Sequence, residues 1–294
     1  MFDPRDDTRE RGDDGRARAY EGPDRSGDPR DVFLRDVDLP LEREREYVLD
    51  REQVYELNGD ESRTLATLGA FRVVPERDLV ERSDAHDVND ALDHLREQGL
   101  IDTVPIGDHD QGFVLTDRGH DLLEANRRDR DTDDGPQAFH TGVSRLRELA
   151  HDASLYGAYR AEMARIRQEH EGAEIRRVVL DGDLKREYQS FLQDRNRDRP
   201  DSDGRPDRDA AEIAQWAQQH DLPYFDDTVH FPDVRIEYEV DGRLRHEDLE
   251  VLTPHYRGAH LAGRARCGFR CYSAGGSGRR GGGFGSRLAE DLLA

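Results

Sequence analysis

Apolar positions along the chain follow two periods, and the places where one gives way to the other mark its elements. Within 61–73, Leu65, Leu68 and either Phe71 or Arg72 share one face at helical spacing. The stretch 75–81 starts a second helix with Pro75 in its first turn. The stretch 87–98 sets Val88, Ala91, Leu92 and Leu95 on one face and stops at Gly99. Residues 100–105 and 113–116 predict two strands joined by the loop GDHDQG, and Leu122 and Leu123 mark a closing helix over 117–126. Upstream, 45–56 (REYVLDREQVYE) reads either as a short strand pair or as a lead-in to the first helix.

In the second half, Val143, Leu146, Ala150, Ala153, Tyr156, Met163 and Ile166 trace one face of a long helix over 142–169. EIRRVVL at 174–180 predicts a buried strand with Asp181-Gly182 as the turn behind it, and 184–192 and 210–220 are helical. Residues 234–240 alternate as a strand, Asp241-Gly242 is a strong hairpin turn, and 244–253 return as the partner strand. A short helix at 260–266 and a strand at 269–272 close the pattern.

Three stretches break it. Residues 1–40 carry Asp, Arg, Gly and Pro with scarcely any apolar side chain, so burial cannot offset the entropy of ordering, and a disordered tail is expected. The breaks NRRDRDTDDGPQ (126–137) and 195–209 read as an interdomain linker and a long internal loop. The expected organisation is a tail at 1–40, a first domain at 41–127, a linker at 128–139, a second domain at 140–273 and a Gly/Arg-rich tail at 274–294. No repeat at a fixed period is present.

Composition changes the picture in one respect. The chain has 294 residues and a formal charge of −22, from 66 acids against 44 bases, with 34% apolar residues. Such an acid excess argues against a phosphate-bearing ligand unless the host is halophilic, where Asp-rich surfaces keep a protein hydrated and salt near 1 M screens charges beyond roughly 3 Å. A GC-rich genome would explain the scarcity of Lys but not the excess of acids. Cys267 and Cys271, in CGFRC, do not make a zinc knuckle or a disulfide framework. No apolar run approaches the roughly 18 residues of a membrane span, so a soluble, cytoplasmic protein with no membrane partner is expected.

The candidate chemistry lies at 229–260. Pro232-Asp233 is followed fifteen residues later by Asp248-Leu249-Glu250, the acid spacing of a metal-dependent nuclease, in which carboxylates on neighbouring strands hold Mg²⁺ against the scissile phosphate, usually with a Lys two positions past the second acid. Two registers are open. In the favoured one Asp248 is the second acid and Glu250 takes the Lys slot, making Asp233, Asp248 and Glu250 the metal ligands. In the other Glu250 is the acid and apolar Leu252 takes the slot. Lys185 is the only lysine in the chain and a candidate for the missing ammonium, since Arg's planar fork does not replace a point charge. Against this, acids lining the solvent face of a strand match such spacings by chance in so acidic a chain. His246, His255 and His260 do not form a zinc-binding spacing.

Several phrases carry resemblances. LREQGLIDTVPIGDHDQGFVLTDRGHDLL resembles winged-helix DNA-binding domains; there the helix at 87–98 would enter the major groove and the loop 107–112 would be the wing. Asn89, His94 and Arg96 are its candidate base readers, although Asp87, Asp90, Asp93 and Glu97 make this helix unusually acidic, which leaves a protein–protein role open. The order helix, strand, insertion, hairpin, helix, strand resembles the PD-(D/E)XK nuclease core, some of whose members use an acid-x-acid variant. With LRELAHDASLYGAYRAE and DLEVLTPHYRGAH, the chain resembles the replication-relaxation proteins of plasmids and integrative elements, over roughly 60–272. That resemblance implies an α+β or α/β protein, an N-terminal winged helix followed by a nuclease-like α/β domain with a helical insertion. It also implies double-stranded DNA and replication or transfer proteins as partners, and makes His151 and Asp152 secondary site candidates. Strand nicking by Tyr256 would need a three-His cluster that is not in the sequence. Arg279 and Arg280, in the Gly-rich tail, are candidate phosphate contacts. The competing readings are a Mg²⁺-dependent DNA endonuclease and a winged-helix transcription regulator.

Overall fold

The computed structural model describes residues 28–51, 53–80, 85–107, 110–128, 135–143, 146–196, 208–252 and 266–273. The chain is a mixed α and β protein, with seven α-helices among the described residues. The open alternative at 45–56 resolves to strands: β1 (Glu46–Asp50) pairs antiparallel with β2 (Gln53–Leu57), with Val48 and Tyr55 on the core side and Tyr47, Leu49 and Val54 exposed. Helix α1 (Gly59–Phe71) starts at a reciprocal cap. The Asn58 side chain accepts from the Glu61 N–H and the Glu61 carboxylate accepts from the Asn58 N–H, satisfying two donors that the first turn would otherwise leave open. There follow β3 (Val74–Pro75), α2 (Glu76–Val80), α3 (Ala85–Glu97), β4 (Ile101–Pro105), β5 (Gln111–Leu115) and α4 (Asp117–Ala125). The three strands form an antiparallel sheet in the order β3-β5-β4, so the first strand of the unit closes against the last.

The second half begins with a 3₁₀ turn at Leu146–Glu148 and α5 (Leu149–Glu169), a later start than the expected residue 142. Next come β6 (Glu174–Leu180), α6 (Asp181–Gln193), α7 (Ala210–Gln219), the short pair β7 (Tyr224–Phe225) and β8 (Thr228–Val229), β9 (Val234–Val240), β10 (Arg243–Leu252) and β11 (Arg270–Ser273). Asp181-Gly182 is not a turn behind β6 but the first turn of α6, where Asp181 favours the positive helix end. The sheet order is β11-β10-β9-β6, with β9 antiparallel to both β6 and β10, and β11 parallel to β10. Along β9 the alternation is complete. Val234, Ile236, Tyr238 and Val240 are buried in the same cluster as Tyr156, Tyr159, Met163 and Ile166 of α5, while Arg235, Glu237 and Glu239 share the opposite face. That outer face is partly covered by α6 and α7, whose Leu184 and Trp216 make a second, smaller cluster with Leu222 and Val229.

Two expected boundaries are corrected. Residues 28–40 are not part of a disordered tail: Phe33, Leu34, Val37 and Leu39 are buried, and Phe33 packs edge-on against Phe71 and tilted against Tyr159. A few large apolar side chains suffice to dock a polar stretch when an existing core receives them. The expected linker at 128–139 is likewise built in where it is described. The Gln137 carboxamide accepts from Val178 N–H and donates to the Val178 carbonyl, pairing like an added strand residue with β6, and Phe139 is buried against α1 at Gly69. One hydrophobic core therefore runs from Phe33 through α1 and α5 to β9 and β10. Residues 1–27, 129–134, 253–265 and 274–294 lie outside the described residues, and with them the wing tip at 108–109, His255, Tyr256, His260, Arg279 and Arg280.

Candidate functional site

The hairpin turn decides how the acids meet. Asp241 and Gly242 both have positive φ, 53° and 70°, as a two-residue turn matching the strand twist requires, and the turn pairs each residue before it with the one equally far behind. Arg235 thus stands opposite Asp248, and Val234 opposite Leu249. One step on, Asp233 stands beside Glu250, with its N–H donating to the Leu249 carbonyl. On the other side Leu180 pairs with Val234, and Asp181 N–H donates to the Asp233 carbonyl. Glu250 in turn pairs with Cys271 of β11. Asp181, Asp233 and Glu250 therefore form a row across one end of the sheet, and Asp248 lies two rows back, behind the Val234–Leu249 pair.

Each of these acids has a definite environment. Asp248 receives both ends of the Arg235 guanidinium, Nε to Oδ1 at 2.7 Å and Nη2 to Oδ2 at 2.8 Å, and both side chains are about nine-tenths buried. Arg235 also donates to the His220 and Asp221 carbonyls, so each of its three nitrogens is engaged. Asp233 is buried; its Oδ2 accepts from Val251 N–H at 2.7 Å and meets His151 Nε2 at 3.1 Å. His151 Nδ1 faces Asp152 Oδ1 at 3.4 Å, so the imidazole from the first turn of α5 lies between two carboxylates. Burial by itself lowers the basicity of His151, but the hydrogen bonds and charges of Asp152 and Asp233 outweigh it, and the ring is pushed up to about 10. Glu250 is wholly buried.

Lys185 lies one turn into α6, near this end of the sheet, and its ammonium bonds Asp181 Oδ2 at 2.6 Å, while its side chain stays more than half exposed. Helix spacing explains the contact, since residues four apart share a helix face. The expected role as the ammonium of the Asp233, Asp248 and Glu250 set is replaced by this local pair. Nearby, His140 and Arg186 flank Asp183: burial raises the Asp183 carboxyl, but its interactions with His140 and Arg186 hold it below its usual value.

A divalent cation needs carboxylate oxygens open to it. Asp248 has given both of its oxygens to Arg235, and Asp233 has committed Oδ2 to a backbone donor and an imidazole. Among the described residues no group of three or more His, Cys, Asp or Glu is placed to hold a metal ion. The expected ligand set of Asp233, Asp248 and Glu250 is thus split by pairing: two members share a row, and the third is an ion-pair partner two rows back. Reading parity alone puts Asp248 and Glu250 on one face; it does not reveal that Arg235, two residues past Asp233, is already opposite Asp248. The turn at Asp241-Gly242 carries that information.

In the first half, Asn89 and Arg96 are exposed on α3, Arg96 in a local pair with Asp93 at 2.8 Å. His94 is corrected. It turns inward, with Nδ1 2.8 Å from Oε1 of the wholly buried Glu61, whose carboxylate also receives Arg45. A buried carboxylate without partners is costly; Arg45 supplies a charge and His94 a ring nitrogen at hydrogen-bond distance. The outward groups of α3 thus include Asp90, Asp93 and Glu97 beside Asn89 and Arg96.

The chain matches no family model, no curated protein and no solved structure. No helix of the described residues is long and apolar enough to cross a membrane.

Proposed function

We propose that the chain is a DNA-binding protein of mobile-element replication, relaxation or transfer, in which a winged helix precedes a nuclease-like α/β part. The observation that carries this reading is the order α1, β3, α2, α3, β4, β5, with β3 paired to β5. That is the order of a winged helix, in which α3 is the groove-entering helix and the β4-β5 connection the wing. The nuclease-like half draws support from α5 followed by three antiparallel strands and a fourth parallel to the third, with the acids at one end. The mobile-element context rests on the resemblance of the α5 and β10 phrases.

Fluorescence anisotropy with labelled duplex DNA tests the proposal. Binding is expected, with an affinity that falls as salt is raised because phosphate contacts release counterions. Asn89→Ala with Arg96→Ala should weaken it about tenfold or more, as each base contact contributes roughly 1–3 kcal/mol. An anisotropy that stays flat with every duplex, at low and high salt, would sink the reading. A second reading is favoured by the acidic outer face of α3: a winged helix that docks a basic surface of a replication or transfer protein. It predicts no duplex binding but salt-sensitive capture of that partner.

A further inference from the structure

We infer that the carboxylates Asp233 and Asp248 at the acid end of the four-stranded sheet are occupied by partners from the chain itself, His151 on Asp233 and Arg235 on Asp248, and that this end takes up no divalent metal. The inference starts from the partners of the acids, whatever the chain binds elsewhere, and uses the nuclease-like reading only to say which acids would have been ligands.

Two features make the lock more than a pair of surface contacts. First, Arg235 and Asp248 meet through a bidentate pair inside the fold, and the guanidinium is anchored a second time on the His220 and Asp221 carbonyls at the end of α7. For a metal to take Asp248, it would have to expel a guanidinium whose remaining donors are fixed by backbone. Second, Asp233 is tied from two directions, by the Val251 N–H within the sheet and by His151 from α5. The Val251 contact supplies a hydrogen bond at the point where β9 begins, so turning Asp233 toward a metal would leave a buried donor without an acceptor, a cost of about 1–3 kcal/mol. Asp152 adds a second carboxylate behind the imidazole, so that His151 bridges two acids.

Isothermal titration of the full chain with Mn²⁺ in molar KCl, beside Asp233→Asn, tests this. The expected result is the same heat trace for both, because weak sites on an acidic surface are common to the two proteins. A saturable step in the wild type that the variant lacks overturns the inference. Should the variant fail to fold, Mn²⁺ is added to the wild-type chain alone while the His151 imidazole resonances are followed. Unchanged line widths support the lock, and saturable broadening overturns it. Neither measurement involves DNA, so a failure here is separate from a failure of the DNA-binding proposal.

Discussion

Removing one member of a buried ion pair leaves an uncompensated charge, whereas removing both leaves an apolar gap to fill. Arg235→Ala strands Asp248 and frees two backbone carbonyls at once, and a loss of about 3–5 kcal/mol is expected. Arg235→Leu with Asp248→Leu should recover much of that loss. Urea unfolding with an unchanged slope and a shifted midpoint would read both effects. His151 makes a pH-dependent contribution. Its folded-state value, about 10, lies above the ordinary 6.5, so its stabilisation is fully present below 6.5 and fades as pH rises through 10. The melting temperature of the wild type should therefore exceed that of His151→Gln near pH 6, and the gap should narrow by pH 10. A gap that widens over that range would refute the assignment. His151 stood out in the sequence only through a phrase resemblance. Spacing could not find it, because its partner Asp233 is 82 positions away and reaches it only once α5 packs on the sheet.

At the scale of elements, caps and turns carried most of the legible information. Thr116 caps α4 by accepting from Gly119 N–H, and Gly119 lies against the Leu100 carbonyl, where an added Cβ would stand 2.2 Å from the oxygen. Backbone cannot yield as a flexible side-chain tip can, so Gly119→Ala should push α4 off β4. It should cost about 1–3 kcal/mol and lower the melting temperature by several degrees, measurable by circular dichroism. Helices α1, α3, α4 and α7 and strands β6, β9 and β10 lie close to where periodicity sets them, since one-sided burial imposes a period of 3.6 or 2 on the side chains. The strand pair β1-β2 was undecidable from sequence. Its outer face keeps Tyr47, Leu49 and Val54 exposed, so it lacks the polar alternation that identifies a half-buried strand.

Over the whole molecule, the core shared by the described residues of the two halves has a measurable consequence. Phe71 of α1 packs on Tyr156 and Tyr159 of α5, with ring centroids 5.1 Å apart in each case, so the first half of the chain shares its core with the second. A fragment of residues 41–127 should fail to give the dispersed amide spectrum of the full chain, because severing it uncovers those rings; a well-dispersed spectrum would contradict the shared core. With a charge of −22, self-repulsion opposes compaction, and raising KCl from about 0.1 M to 1 M, which shortens the screening length from roughly 10 to 3 Å, should raise the melting temperature.

The sequence by itself determined most of the helices and strands, the hairpin turn and the acids on one strand face, because these follow from local period and turn chemistry. It also held the opposition of Arg235 and Asp248, since the Asp241-Gly242 turn sets the register for every pair behind it. What only the tertiary structure decided was which charges cancel: His151 reaching Asp233 from α5, His94 turning to Glu61, and Lys185 staying with Asp181. It also decided that residues 28–40 and 135–139 join the core. Those outcomes depend on distances between segments far apart in the chain, and a row of letters specifies no such distance until packing brings the segments together.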